Sequence, residues 1–400
     1  MSNTNSHLEN IKLKPTPIIQ SSPLVWLHKN LFSSWFNTLF TIVISIVLVL
    51  VITSSLRWVF VSANWSVVSE NYKLFIVGQY PIEELWRAWS SLTLVSILVG
   101  LSAGLYKGLA RVMMFGFLLL YGVSLVLPFI AMDSRFWLSA NITIIIALYF
   151  LVIKMPFLKK FTWVLWILAF PIAVFLLHGF NVLPTVKTNI WGGFLLTIII
   201  ALFAIVVSFP IGVLLALGRT SKLPIIKWLS VIYIEVIRGV PLITVLFMAQ
   251  IMIPLFLPSG ISVDNLIRVM IGLTLFNAAY VAENIRGGLQ SIPNSQYEAS
   301  KALGLSTVKM TFFIILPQAL RVTVPSMVGQ SISILKDTTL IAIVGLVELL
   351  GIARSIIANP QFLGTQMEVF LFIAFVFWVI CYFMSYMSRQ IEKQISIGSN

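Results

Sequence analysis

The sequence predicts an all-α integral membrane protein with about ten transmembrane helices. Three observations lead there. Hydrophobic residues fill 59% of the 400 positions and charged residues 10%, with a mean hydropathy of +1.01, far from the roughly 45–50% apolar and about 25% charged of a soluble domain. Ten separate apolar runs approach the roughly 20 residues that an α-helix needs to cross about 30 Å of hydrocarbon. The basic residues sit in the short connections between those runs.

Taken in order, residues 1–37 are mostly polar, hold Pro15, Pro17 and Pro23, and lack an apolar stretch followed by a small-residue cleavage site. They are expected as a cytoplasmic tail rather than a removed leader. Spans are expected over 38–60, 90–106, 112–131, 136–153 and 161–179, with a first outer loop over 61–89. The second span is short and contains Gly100 and Gly104, a spacing that lets two helices approach closely or serves ordinary packing. The chain divides near residue 188, and 38–188 forms an extension ahead of a core over 189–400. In the core, spans are expected over 190–217, 239–257, 265–283, 318–346 and 367–388. The run 318–346 is longer than one crossing needs and contains Lys336 and Asp337, so it is expected to bend or break there.

The formal charge of +13 would raise the question of nucleic acid in a soluble protein. Here it follows the excess of Lys and Arg that cytoplasmic loops carry, and no nucleic-acid partner is expected. Placing the amino terminus inside puts 18 of the 26 basic residues in inner connections and 7 outside or at the outer boundary, with Lys336 inside a span. Both termini are therefore expected in the cytoplasm. Cys381 is the only cysteine, so no intramolecular disulfide or thiolate cluster forms. His7, His28 and His178 are scattered, and neither a metal site nor a catalytic residue is expected.

The second half has a basic connection over 284–317. Pro293 and Asn294 favour a helix start, Tyr297, Ala299, Ala302 and Leu303 share a face, and Gly304 suits the left-handed conformation that ends a helix. Ser306 is placed to cap the next turn, and Pro317 marks the approach to the following span. The expected product is a helical elbow at the cytoplasmic face, long enough to dock on another protein.

Glu298, Ala299, Ser300, Gly304, Ile314, Leu316 and Pro317 resemble the EAA loop of bacterial ABC importer permeases, written E-A-A, three residues, G, nine residues, I-x-L-P. Ser300 replaces the third small residue. The resemblance implies a type I importer core of five helices whose elbow is a coupling helix seated in a cytoplasmic ATPase. It implies ABC ATPase subunits, a second permease subunit, homologous or identical, and a periplasmic amino acid-binding protein as partners beside the lipid bilayer. No cofactor is expected on this chain, with ATP and Mg used by the ATPase. Indeed a phosphate-binding loop needs G-x-x-x-x-G-K-[ST], and the nearest imitation, Gly212 to Gly218-Arg219-Thr220, has the wrong spacing and ends a span.

Two further patches resemble the histidine and glutamine type, which carries polar amino acids. In Glu235-Val236-Ile237-Arg238-Gly239-Val240-Pro241, Glu235 and Arg238 are expected to pair on one helical face while Gly239 and Pro241 loosen the helix. An interfacial Arg238 reaching to the cytoplasm is the plainer reading. In Lys336-Asp337-Thr338-Thr339, charges inside a span face a cavity or a partner. Both patches are candidates for the translocation pathway or its gate. Glu283 and Arg286 are expected to pair and anchor the loop, and Asn277 to hydrogen-bond between helices. The stretches Tyr72 to Arg87 and Asn30 to Thr38 resemble the extended amino-terminal region of general L-amino acid permeases.

An ion-coupled secondary amino acid transporter is the rival reading, with Lys336 and Asp337 as midplane charges. It would call for a repeated architecture with paired broken helices, which the two halves do not display. An enzyme would need a nucleophile, base and orienting group at one membrane level.

Overall fold

The computed structural model describes residues 23–258 and 260–397, which are helical with short connections and isolated bridges. The first unit ends at Asn64. It holds α1 (Pro23–Leu31) and α2 (Trp35–Arg57), the latter extended by a π-helical turn over Trp58–Ser62. Ser34 caps α2 by accepting from the Asn37 N–H at 3.2 Å. The span therefore starts three residues earlier than the expected 38, because the cap and not the first apolar run sets the helix start. None of the α2 side chains is buried, the condition of a helix apolar on all sides whose solvent is lipid. The expected tail over 1–37 lies outside the described residues up to 22, and Pro23–Leu31 is helical.

The second unit begins at Trp65. Short helices α3 (Ser66–Glu70) and α4 (Tyr72–Val77) lead to α5 (Leu85–Leu105), α6 (Leu109–Val126), α7 (Met132–Val152) and α8 (Thr162–His178). Gly100 and Gly104 set α5 against α7. A Cβ at Gly100 would stand 2.9 Å from the Ile145 carbonyl oxygen, and one at Gly104 2.8 Å from that of Tyr149. Close approach is thus what the small-residue spacing provides. Polar links complete the bundle, with Ser96 and Tyr121 hydroxyls 2.8 Å apart and the Trp166 indole donating to Ser102 Oγ at 3.0 Å.

The core follows as α9 (Gly193–Arg219), α10 (Pro224–Gly239), α11 (Leu242–Phe256) and α12 (Asn265–Gln290). After the elbow helices α13 (Asn294–Ala302) and α14 (Thr307–Met310) come α15 (Leu316–Asp337), α16 (Leu349–Ile357) and α17 (Gln366–Ile397). α12 stands at the centre between α9 and α15. Gly212 of α9 has no room for a side chain beside Val281, and a Cβ at Gly288 would stand 2.7 Å from the Ala319 carbonyl oxygen.

Among the described residues, eight helical stretches are long and apolar enough to cross a membrane, α10 with α11 adds one broken span, and α8 is a shorter apolar helix. The seventh span differs from its expected limits of 239–257. α10 and α11 meet at 109°, because Pro241 lacks an N–H and excludes helical geometry at Val240.

The bundle and the core pack together at the end where α5 and α9 begin. On the bundle side, the segment before α5 is pinned to the end of α8 and the chain after it: Tyr80 donates to the Leu177 carbonyl at 2.8 Å, and buried Arg87 reaches the Pro184 carbonyl at 2.7 Å while its Nε lies 2.8 Å from Glu84. Gly193, with φ +60°, passes so close to α4 that a Cβ would stand 2.7 Å from the Leu74 carbonyl oxygen. Further along, Phe170 of α8 lies against Phe203 of α9, and Gly116 of α6 leaves room for Phe383 of α17.

Candidate coupling and translocation site

The elbow is built as two short helices around a glycine. Pro293 precedes α13, Gly304 has φ +72°, and Ser306 accepts from the Lys309 N–H at 3.5 Å to cap α14. A π-helical turn over Thr311–Ile315 then leads into α15, with Pro317 in its first turn. The inner side of the elbow is anchored by Ser300, Met310, Ile315 and Leu316, all buried. Ser300 satisfies its hydroxyl locally by donating to the Gln296 carbonyl at 2.7 Å, so a hydroxyl costs little where a small apolar residue would also fit. Ile314 is half-buried, whereas Glu298, Ala299, Gly304 and Pro317 are exposed. Leu303, Val308 and Phe313 are 77%, 66% and 78% exposed. The expected face of Tyr297, Ala299, Ala302 and Leu303 is thus not a buried one, since only Tyr297 is partly covered. It presents outward beside Glu298 and Lys301, as an apolar patch suited to a partner.

One carboxylate gathers the charges behind the elbow. Glu283 on α12 accepts from Arg286 Nε at 2.9 Å, and a second contact joins Arg286 Nη2 to its other oxygen. Arg219 at the end of α9 lies 3.4 Å from Glu283, and Arg238 at the end of α10 lies 3.8 Å away. The expected pairing of Glu235 with Arg238 does not occur. Glu235 meets Arg219 at 2.8 Å, and Arg238 instead lies over the Tyr280 ring at 5.7 Å and faces Glu283. Across-helix partners win because α10 packs on both α9 and α12, bringing opposite charges from three helices together. Arg219 is the member that local spacing did not disclose, since its partners are distant in sequence. Gly239 and Pro241 mark the break between α10 and α11, as expected.

The second patch lies elsewhere. α15 ends at Asp337, and Thr338–Val344 continues as a 3-10 helix that stops at Gly345, φ +87°. Lys336 is exposed, Asp337 half-buried and Thr338 fully buried. Thr338 and Thr339 donate back to the carbonyls of Leu335 and Lys336 at 2.7 and 2.8 Å, easing the change of helical geometry. Lys336 makes no ion pair among the described residues. On the same helix Arg321, Pro325, Ser326, Gly329, Ser333 and Lys336 are all exposed. A polar stripe of that kind on a membrane helix needs protein or water against it.

Between α9, α12 and α15 a cavity of about 330 Å³ is lined by Ser208, Phe209, Val281, Met327, Gln330 and Ser331. Gln330 donates to Asn277 Oδ1 at 2.8 Å, the interhelical bond expected of Asn277. At the opposite end of the core from the elbow, a cleft of about 180 Å³ includes Asn71, Gln79, Asn189, Trp191, Ser355 and Asn359. The Trp191 indole N–H is buried there and makes no hydrogen bond. Groups that could transfer a proton, attack a bond or bind nucleotide phosphates are not assembled at either cavity; polar lining, helix breaks and a docking elbow suit passage of a solute.

Residues 208–397 match the family model described as "Binding-protein-dependent transport system inner membrane component". The chain is similar to the inner membrane amino-acid ABC transporter permease protein YhdY of Escherichia coli strain K12, 36% identical over 402 aligned residues and covering 96% of both chains. It is 34% identical over 431 residues to the glutamate/glutamine/aspartate/asparagine transport system permease protein BztC of Rhodobacter capsulatus, again over 96% of each. A shorter relative, the "Probable glutamine ABC transporter permease protein GlnP" of Bacillus subtilis, is 35% identical over 203 residues, which is 51% of this chain and 92% of that one.

Proposed function

This chain belongs to the family of binding-protein-dependent transport system inner membrane components, and we propose that it forms the path by which polar L-amino acids enter the cell. It is a multi-pass permease subunit of an ABC importer, a transport subunit and not an enzyme, and ATP is hydrolysed on a separate subunit. The amino acid assignment rests on full-length similarity to permeases whose names specify amino acids. The observation that carries the coupling role is the elbow, whose Gly304 turn presents Leu303, Val308 and Phe313 outward while Ser300 and Ile315 are buried behind it.

On this reading both termini and the elbow are cytoplasmic, and Glu298, Ala299 and Gly304 sit in a cleft of the ATPase, which holds the ATP and Mg. Residues 189–400 act as the importer core, and 38–188 as an extension ahead of it in the chain. A second permease, identical or homologous, covers the polar stripe of α15, so that Lys336 faces a shared cavity. A periplasmic binding protein delivers the amino acid at the end opposite the elbow. Closure of the ATPases pushes α13, which is joined to α12 through residues 291–293 and to α15 through the Gly304 turn, α14 and the π-helical turn. Movement of α12 shifts Glu283 against Arg219 and Arg238, and the break at Gly239 and Pro241 lets α10 and α11 change their angle.

Uptake of labelled glutamate, glutamine, aspartate and asparagine, in cells lacking the gene and complemented by it, tests the assignment. Complementation should restore uptake that survives collapse of ion gradients and stops when ATP is depleted. Uptake that follows the ion gradient instead would overturn it.

A further inference from the structure

Between Glu84 and Glu235 the chain has a single acidic residue, Asp133, in the first turn of α7. The other end of the α5–α8 bundle gathers cations. Lys107 and Arg111 lie where α5 passes into α6, Lys154 just beyond α7, and Lys159 and Lys160 in the turn before α8. None of them makes an ion pair among the described residues.

Aromatic rings hold two of these cations in place. The Arg111 guanidinium carbon lies 5.8 Å from the centre of the Tyr149 ring, and the Lys159 ammonium 5.1 Å from that of Tyr106. The rings are themselves positioned. Gly104 brings α5 against the Tyr149 carbonyl, and the Tyr106 hydroxyl donates to the Lys159 carbonyl at 3.2 Å. Arg111 Nε is buried but makes no hydrogen bond. α6 starts at the same level behind Gly108, whose lack of a side chain leaves the first turn uncapped, and such a helix start favours an anion.

A general excess of lysine at the inner side of a membrane requires none of this ordering. Ring-held cations without counter-charges, beside an uncapped helix start, make a receptor for an anion with several acceptor oxygens. The neighbouring surface says which source supplies it. Phe150, Ile153 and Phe157 are exposed beside the cations at 65%, 50% and 65%, an apolar flank of the kind acyl chains cover. We propose that this end of the bundle is a binding site for an anionic phospholipid, with its phosphate on Arg111, Lys159 and the start of α6, and its chains along that flank.

The site requires only that the chain spans a membrane, so it stands apart from the choice of solute. Native mass spectrometry of the assembled transporter, titrated with phosphatidylglycerol, tests it. Each cation near an anionic lipid surface is worth about fivefold in affinity, so Arg111→Gln with Lys159→Gln should weaken phosphatidylglycerol retention about 25-fold. Arg111→Lys with Lys159→Arg should retain it, phosphatidylcholine of the same chains should bind weakly to all, and inorganic phosphate should not displace the lipid. Should the double variant fail to assemble, Lys159→Gln alone, at an exposed position, should show the fivefold loss. Equal retention by wild type and variants, equal binding of phosphatidylcholine, or displacement by inorganic phosphate would each overturn the proposal.

Discussion

Gly304 carries the turn of the elbow with φ +72° and open space where a Cβ would stand. A side chain there is resisted by the backbone rather than by crowding, at a cost of about 1 kcal/mol or more, least for asparagine. Gly304→Val should therefore lower uptake about fivefold or more with the protein still inserted, and Gly304→Asp, which also brings a charge to the docking face, should lower it too, while Gly304→Asn retains more of it. Uptake normalised to membrane abundance, with co-purification of the ATPase, measures this. Glu348 poses a different problem. It is fully buried before α16, and burial pushes its carboxyl up to about 7 although the Leu350 and Gly351 N–H groups donate to it. The unfolded chain loses this proton near pH 4.5, whereas the folded chain keeps it until about 7. The resulting penalty is absent below that window and complete above it, and stability falls as pH rises through it, by about 3 kcal/mol. The purified chain should melt higher at pH 5.5 than at pH 8, and Glu348→Gln should remove that part of the difference.

At the scale of elements, α9, α10 and α12 are joined where Glu283 meets three arginines. Opposite charges held by different helices link their motions in a way that a pair within one helix does not. Glu283→Gln leaves Arg219, Arg238 and Arg286 close together without their shared carboxylate, a loss of about 1–3 kcal/mol for the arrangement, or about 5- to 150-fold in a conformational equilibrium. Uptake should fall while ATPase binding at the elbow persists. If uptake and basal ATPase activity both stay at wild-type level, the hub has no part in coupling. The helical pattern around it was largely legible in the sequence. Gly304, Ser306 and the break at Pro241 act through local backbone rules, so their roles follow from neighbouring residues alone. The partners of Glu235 and Arg238 were not legible, because an i, i+3 spacing permits a pair but cannot weigh it against a charge brought up by another helix.

For the whole molecule, contacts join the bundle and its leading helices to the core, from Gly193 against α4 at one end, through Phe170 and Phe203, to Gly116 and Phe383. Expressed alone, residues 189–400 should insert but melt below the full chain, because Trp191 and Gly193 lose α4 and the Phe203 ring loses Phe170. Equal melting in the same detergent would show that the extension adds nothing to the stability of the core. The sequence by itself determined the membrane class, the number of apolar runs, the elbow and its family, since each depends on composition or on short-range spacing. Hydrocarbon selects for apolar length, and caps, glycines and prolines act within a turn of where they stand. Only the tertiary structure decided which charges meet at Glu283, that Gln330 answers Asn277, and that the Gly304 elbow turns Leu303 outward instead of burying it. Those outcomes depend on which helices stand side by side, and side-chain chemistry along one chain does not contain the distance between residues brought together by packing.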